Sequence, residues 1–165
     1  MKVAVLGAGA IGLGTTAALM ERGHQVLLWS PSGKSTAFLA EGKPLVAEGA
    51  IVGSFLPERA ENAQAAVAGV DVVLIAVPGN GHRSVIDAAV PHLASGQTVI
   101  ISSHSSLSAL YLSRKLAENG LSCPIVAWAT TVTTGRRNPP NGVAIATLRK
   151  EVDLAAIPAR DSAAA

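Results

Sequence analysis

Short apolar runs broken by glycine or by polar clusters set the rhythm of the chain. Val3 to Leu6, after Lys2, is wholly apolar and stops at Gly7, which predicts a strand, Lys2 to Leu6, buried on both faces. Behind it Leu13, Thr16, Ala17 and Met20 share one helical face, and Gly23 ends that helix. Gln25 to Trp29 predicts a second strand, which Ser30-Pro31-Ser32-Gly33 breaks before a short helix from Ser35 to Ala40. A βαβ unit is therefore expected within the first thirty residues.

From Gly42 to Glu61 the pattern is mixed, with strand-like pieces at Pro44 to Val46, Ala50 to Val52 and Ser54 to Leu56, and Pro57 argues against a long central strand. Asn62 stands where it can cap an alanine-rich helix that ends at Gly69. Val70 to Val77 is apolar except for Asp71 and reads as a central parallel strand. Pro78-Gly79-Asn80-Gly81 reads as a turn, followed by a helical stripe of Val85, Ile86, Ala89, Val90 and Leu93 and a strand from Gln97 to Ile101. Ser105 or Ser106 is placed to cap a helix carrying Ala109, Leu112 and Leu116 on one face and ending at Asn119-Gly120.

Pro124 to Ala129 and Gly142 to Leu148 are expected to form an antiparallel pair joined by the turn-rich stretch from Gly135 to Asn141. Leu154 to Ile157 could add a short strand, and Asp161 to Ala165 reads as the opening of a helix that is not completed, so the chain is expected to stop mid-fold. This alternation predicts an α/β fold: a doubly wound, mostly parallel sheet with helices on both faces and antiparallel strands near the C-terminus.

Composition narrows the function classes. With 49% hydrophobic and 15% charged residues in 165, the chain is neither a disordered tail nor a coiled coil, and one domain spanning 1–165 is expected. Thirteen basic residues against eleven acidic ones form no run longer than two, so nucleic acid is not an expected partner. Cys123 is the only cysteine, and the four histidines are scattered without metal-ligand spacing, which fits a reducing, cytoplasmic setting and no metal site. Glycine interrupts the apolar start, and no run approaches the roughly 18 apolar residues of a membrane span.

The chemistry is carried by Gly7-Ala8-Gly9-Ala10-Ile11-Gly12, a G-x-G-x-x-G match lying between a predicted strand and an amphipathic helix, with a second strand ending about twenty residues on. Gly7 permits the tight turn, Gly9 lets a diphosphate approach the backbone, and Gly12 allows close packing of helix on strand. The helix start at Ala10 and Ile11 offers unpaired N–H groups and the positive end of the dipole to an anion. This is the fingerprint of a Rossmann-type domain for NAD(P), with FAD as a competitor.

An NAD site generally has an Asp or Glu at the end of the second strand, but Trp29 is followed by Ser30-Pro31-Ser32-Gly33-Lys34. Ser30, Ser32 and Lys34 could instead donate to a 2′-phosphate, which favours NADP with NAD as the alternative. Val77, Pro78 and the loop after Ile101, with His104, follow strands at the end where such sheets bind ligands. His82 and His92 are expected to be solvated or to face a helix dipole, and Arg136 with Arg137 could clamp a substrate carboxylate. The Ser102 to Ser106 cluster has no nucleophile elbow around it, which argues against a hydrolase.

The glycine motif, Asp71-Val72-Val73-Leu74-Ile75-Ala76-Val77-Pro78, Ile101-Ser102-Ser103-His104-Ser105-Ser106-Leu107, Thr133-Thr134-Gly135-Arg136-Arg137 and the stretch from Leu148 to Pro158 occur in that order, and together they resemble the opine dehydrogenases of the octopine and nopaline type. The glycine motif alone suits ketopantoate reductase or glycerol-3-phosphate dehydrogenase as well. The resemblance implies an NAD(P)-dependent dehydrogenase that condenses an amino acid with a 2-oxo acid and reduces the imine. It implies cofactor contacts at Gly7, Gly9, Gly12, Pro78 and the His104 loop. It also implies a following helical domain with a catalytic His and Asp, which would be a route to a homo-oligomer; no residue here matches that dyad, so the catalytic residues stay unassigned. The rival readings are a non-catalytic NAD(P) sensor and, more distantly, an S-adenosylmethionine-dependent methyltransferase.

Overall fold

The computed structural model describes residues 1–103 and 107–159. Strand β1 (Lys2–Leu6) lies inside a seven-stranded sheet, between β2 (Gln25–Trp29) and β6 (Val72–Ile75). Beyond β2 comes β5 (Glu58–Arg59), and beyond β6 come β7 (Thr98–Ile101), β8 (Ile125–Trp128) and β11 (Leu154–Ile157). All neighbours are parallel except β11, which runs antiparallel to β8. The chain builds outward from β1 in one direction as far as β5 and in the other from β6 onward. The winding therefore reverses between β1 and β6, where the diverging connections open a crevice beyond the strand ends.

Alternation along the strands sorts the core into two layers. Ala4 and Leu6 of β1, with Leu27 and Trp29 of β2, pack with α3 (Ala63–Val67), α4 (Gly79–Ala89) and α5 (Ser108–Glu118). Val3, Val5, Val26 and Leu28 face α1 (Ala10–Glu21) and α2 (Ala37–Ala40). Asn62 caps α3 as expected, its side chain accepting from Ala65 N at 2.8 Å. Gly69, Gly96 and Gly120 take the positive φ that ends their segments.

A second sheet covers the outer side of α1, in the order β4-β3-β10-β9, from β3 (Leu45–Gly49), β4 (Gly53–Phe55), β9 (Thr133–Asn138) and β10 (Gly142–Leu148). Helix α1 is consequently buried continuously from Gly12 to Ala18, where a helix covered on one face would bury only the residues three or four apart along that face. Gly14 makes the approach of β9 achievable: a Cβ there would stand 2.8 Å from Thr133 Oγ1.

Several expected elements move. The strands at Pro124 to Ala129 and Gly142 to Leu148 do not pair, since β8 belongs to the large sheet and β10 to the small one. Gly135 to Asn138 is not turn but the outer part of β9, antiparallel to β10, and only Pro139 to Asn141 connects the two. Ala50 to Val52 links β3 to β4 rather than forming a strand of its own. Gly79, Asn80 and Gly81 already belong to α4, whose N-cap is Pro78. Helix α5 starts at Ser108 with Leu107 as its N-cap, later than the expected caps Ser105 and Ser106, which lie outside the described residues, as does the expected helix start from Asp161 to Ala165.

Candidate functional site

The turn from β1 into α1 is made of backbone. Gly7 adopts φ +129°, and a Cβ there would overlap the Ala76 carbonyl at the end of β6. A Cβ on Gly12 would overlap the carbonyl of Gly7 itself. These two glycines are thus required by the fold alone. Gly7 N donates to Trp29 O at 2.8 Å and Ala76 N to Leu6 O at 2.9 Å, which locks the turn to both neighbouring strands.

Gly9 is different. It has an ordinary extended conformation, φ −79° and ψ −174°, and a Cβ on it would meet nothing within 4 Å. Neither strain nor packing calls for glycine there. As N-cap of α1 it offers no side-chain acceptor, so the first N–H groups of the helix, at Ala10 and Ile11, have no capping partner. A cradle that a Cβ would fill, beside uncapped N–H groups at a helix N-terminus, is what a phosphate-bearing ligand uses.

Gly9, Ala10 and Ile11 form one side of a cavity of about 270 Å3, and Ala76 to Gly79 form another; His82, Ser102, Ser103 and Thr131 complete it. The cavity lies at the reversal between β1 and β6, so Val77 and Pro78 stand where strand-end residues were expected to border a ligand. His104 lies outside the described residues.

His82 departs from expectation. It is not solvated but 3% exposed, on the inner stripe of α4 with Val85, Ile86 and Ala89. Its Nε2 lies 3.0 Å from Val77 O, and since a carbonyl only accepts, Nε2 carries the proton. Ser108 Oγ lies 2.7 Å from Nδ1 and makes the second hydrogen bond of the ring. His82 thereby ties the loop after β6 to the start of α5. Its spacing with Val85, Ile86 and Ala89 is the sequence signal that betrays its burial.

The other sequence candidates lie at the far end of β2. Ser30 is buried, and its carbonyl accepts from Gly33 N at 2.9 Å; Ser32 and Lys34 are exposed, and Lys34 opens a 3-10 turn (Lys34–Thr36). Arg137 does not face the cavity but donates to Ser35 Oγ at 3.2 Å, Ser35 O at 3.0 Å and Pro140 O at 3.2 Å, so it pins that turn to the small sheet; Arg136 is exposed on β9. Arg59, which no local pattern singled out, lies beside this turn. His92 is exposed, and among the described residues no cluster of metal-ligating side chains occurs. Cys123 is a buried free thiol, and burial pushes its pKa up, so it is a poor nucleophile.

With this geometry in place, the family model described as ketopantoate reductase PanE/ApbA matches residues 3–154. A curated opine dehydrogenase from Arthrobacter sp. (strain 1C) is 28% identical over 159 residues, covering 94% of this chain and 44% of the relative. The solved structure of octopine dehydrogenase with NADH and L-arginine superposes with a TM-score of 0.79 at 13% identity, over 94% of this chain and 42% of that one. Yersinopine dehydrogenase with NADP+ bound gives 0.75 at 20% identity, over 94% and 40%. The chain therefore spans less than half the length of these relatives.

Proposed function

The chain belongs to the ketopantoate reductase PanE/ApbA family, and from that premise we propose that its Gly7 to Gly12 turn binds the diphosphate of a nicotinamide dinucleotide for an oxidoreductase. The observation that carries the reading is Gly9, a glycine with no internal reason to be one, open to a cavity at the sheet's winding reversal. In this reading Gly9 admits the diphosphate, and the N–H groups of Ala10 and Ile11 donate to it. Val77 and Pro78 border the nicotinamide ribose, while Ser30, Ser32 and Lys34 stand at the adenosine ribose. The bound nicotinamide would supply a hydride, and the chain's own residues orient it.

For the whole protein we propose opine-dehydrogenase chemistry, the reductive condensation of an amino acid with a 2-oxo acid, with NADPH preferred to NADH. Support comes from the Arthrobacter relative and from the octopine and yersinopine dehydrogenase folds, one solved with NADH and one with NADP+. Reduction of a 2-oxo acid without the amine, as in ketopantoate reductase, is the second reading, and the family match favours it. A cytoplasmic setting accords with the free Cys123, and no helix among the described residues is long and apolar enough to cross a membrane.

Calorimetric titration with NADPH and NADH tests the cofactor reading. The wild-type chain is expected to bind, and Gly9→Val to lose about tenfold or more in affinity while keeping its melting temperature. A wild-type chain that binds neither dinucleotide, or a Gly9→Val variant that binds as well as wild type, overturns it.

A further inference from the structure

We infer that His82 is a positioning residue: it holds the loops after β6 and β7 at the separation that seats the nicotinamide end of the dinucleotide, and this rests on the cofactor reading above. The two loops reach the cavity from neighbouring parallel strands, Val77, Pro78 and Gly79 following β6 and Ser102 and Ser103 following β7. Sheet hydrogen bonding fixes where they leave, with Ser102 N donating to Ile75 O at 3.0 Å. It does not fix where they go next.

The loop after β6 has few backbone handles of its own. Pro78 has no N–H, so the peptide between Val77 and Pro78 offers its carbonyl alone, and His82 Nε2 takes it at 3.0 Å. Beyond β7 the backbone is strained at Ser103, with φ +74°, and again at Leu107, with φ +63°, both in the left-handed region that residues with a side chain rarely enter. Such conformations persist only where the surroundings hold them. Ser108, directly after Leu107, is held by His82 Nδ1 at 2.7 Å.

One ring therefore grips both loops, and it does so from a fixed seat. His82 is buried, and Val85, Ile86 and Ala89, its neighbours on the inner stripe of α4, belong to the packed core. A position that needed only volume would be filled by leucine at less cost, because a buried imidazole must find hydrogen-bond partners. Here both nitrogens are bonded, each to a loop that borders the same cavity. The second loop also keeps polar capacity for a guest, since Ser102 Oγ is buried without a hydrogen-bond partner. The nicotinamide end carries a ribose and a carboxamide, which use such a wall only when it stands at hydrogen-bond distance.

The test uses the whole chain and two pairs of probes: NADPH against 2′-phosphoadenosine 5′-diphosphate, and NADH against ADP. Within each pair the fragment keeps the adenosine and the diphosphate and lacks the nicotinamide riboside. Wild type is expected to bind the dinucleotide about tenfold or more tightly than its fragment. His82→Phe is expected to reduce that ratio by about tenfold while the fragment's affinity stays within about twofold, and His82→Gln, whose amide N–H can reach the Val77 carbonyl, to restore most of it. Ser108→Ala, which leaves the bond to Val77 in place, is expected to reduce the ratio by about threefold, and it decides alone if His82→Phe does not fold. An unmoved ratio, dinucleotide and fragment weakened alike, or His82→Gln no better than His82→Phe overturns the role of His82 and leaves the cofactor reading standing, because a residue that merely supports the fold does not distinguish the two probes of a pair. A wild type that binds dinucleotide and fragment equally overturns that role as well, whereas failure of all four probes to bind overturns the cofactor reading with it.

Discussion

The cavity has two walls built on opposite principles. The wall at the β1 to α1 turn is backbone, and its side chains are missing by necessity: Gly7 and Gly12 leave room for the carbonyls of Ala76 and Gly7. The wall after β6 is held by a side chain, His82, bonded to the Val77 carbonyl and to Ser108. The first fails when an atom is added, the second when atoms are taken away. Gly9 lies in the first wall, yet a Cβ on it would touch nothing, so the packing that demands Gly7 and Gly12 does not demand a glycine there.

Substitutions can break this contrast in graded steps. Gly12→Ala places a methyl group on the Gly7 carbonyl and is expected to cost about 3 kcal/mol or more, read as a collapse of the urea midpoint. His82→Phe keeps bulk on α4 but leaves the half-buried Val77 carbonyl without its donor, an expected loss of about 1 kcal/mol in the same titration. If His82→Phe proves neutral, the second wall is not held by that side chain. Asn62→Ala removes the side-chain cap of α3 and is expected to lower stability by about 1 kcal/mol. Gly9→Ala, at the uncapped start of α1, is expected to shift thermal stability by no more than about 0.5 kcal/mol. A large loss there would show that Gly9 is a packing glycine like Gly12.

Both ends of β1, β2 and β10 fall where the sequence pattern puts them, because each is an apolar run that stops against glycine, serine or solvent. The glycine-rich turn from Gly7 to Gly12 is equally legible, since Gly7 and Gly12 are tied to local backbone geometry. Strand β9 was hidden. Thr-Thr-Gly-Arg-Arg-Asn is polar because only Thr133 is buried, against Gly14, while Gly135 lets the Ala144 carbonyl come close. Its packing rests on α1 beneath it, where Thr133 meets Thr15 118 residues earlier in the chain, and no local period encodes that. The same holds for Arg59: a two-residue strand after Pro57 carries no periodicity, and its place comes from β2 across from it. His82 was legible in principle from its stripe on α4, but a polar residue on an apolar stripe is easily assigned to solvent.

The clamping of α1 between two sheets has a consequence for how an anion would be received. A helix gripped on one flank can rock about its axis and must be re-aimed when a ligand docks. Here Thr15 and Thr133 meet across one interface while Leu13 and Ala17 belong to a packed core, so the donors at the helix tip are aimed before any guest arrives. Association should then proceed as lock-and-key at this end of the molecule, with amide resonances of Thr15 to Ala18, beyond the turn itself, nearly stationary as ligand is added.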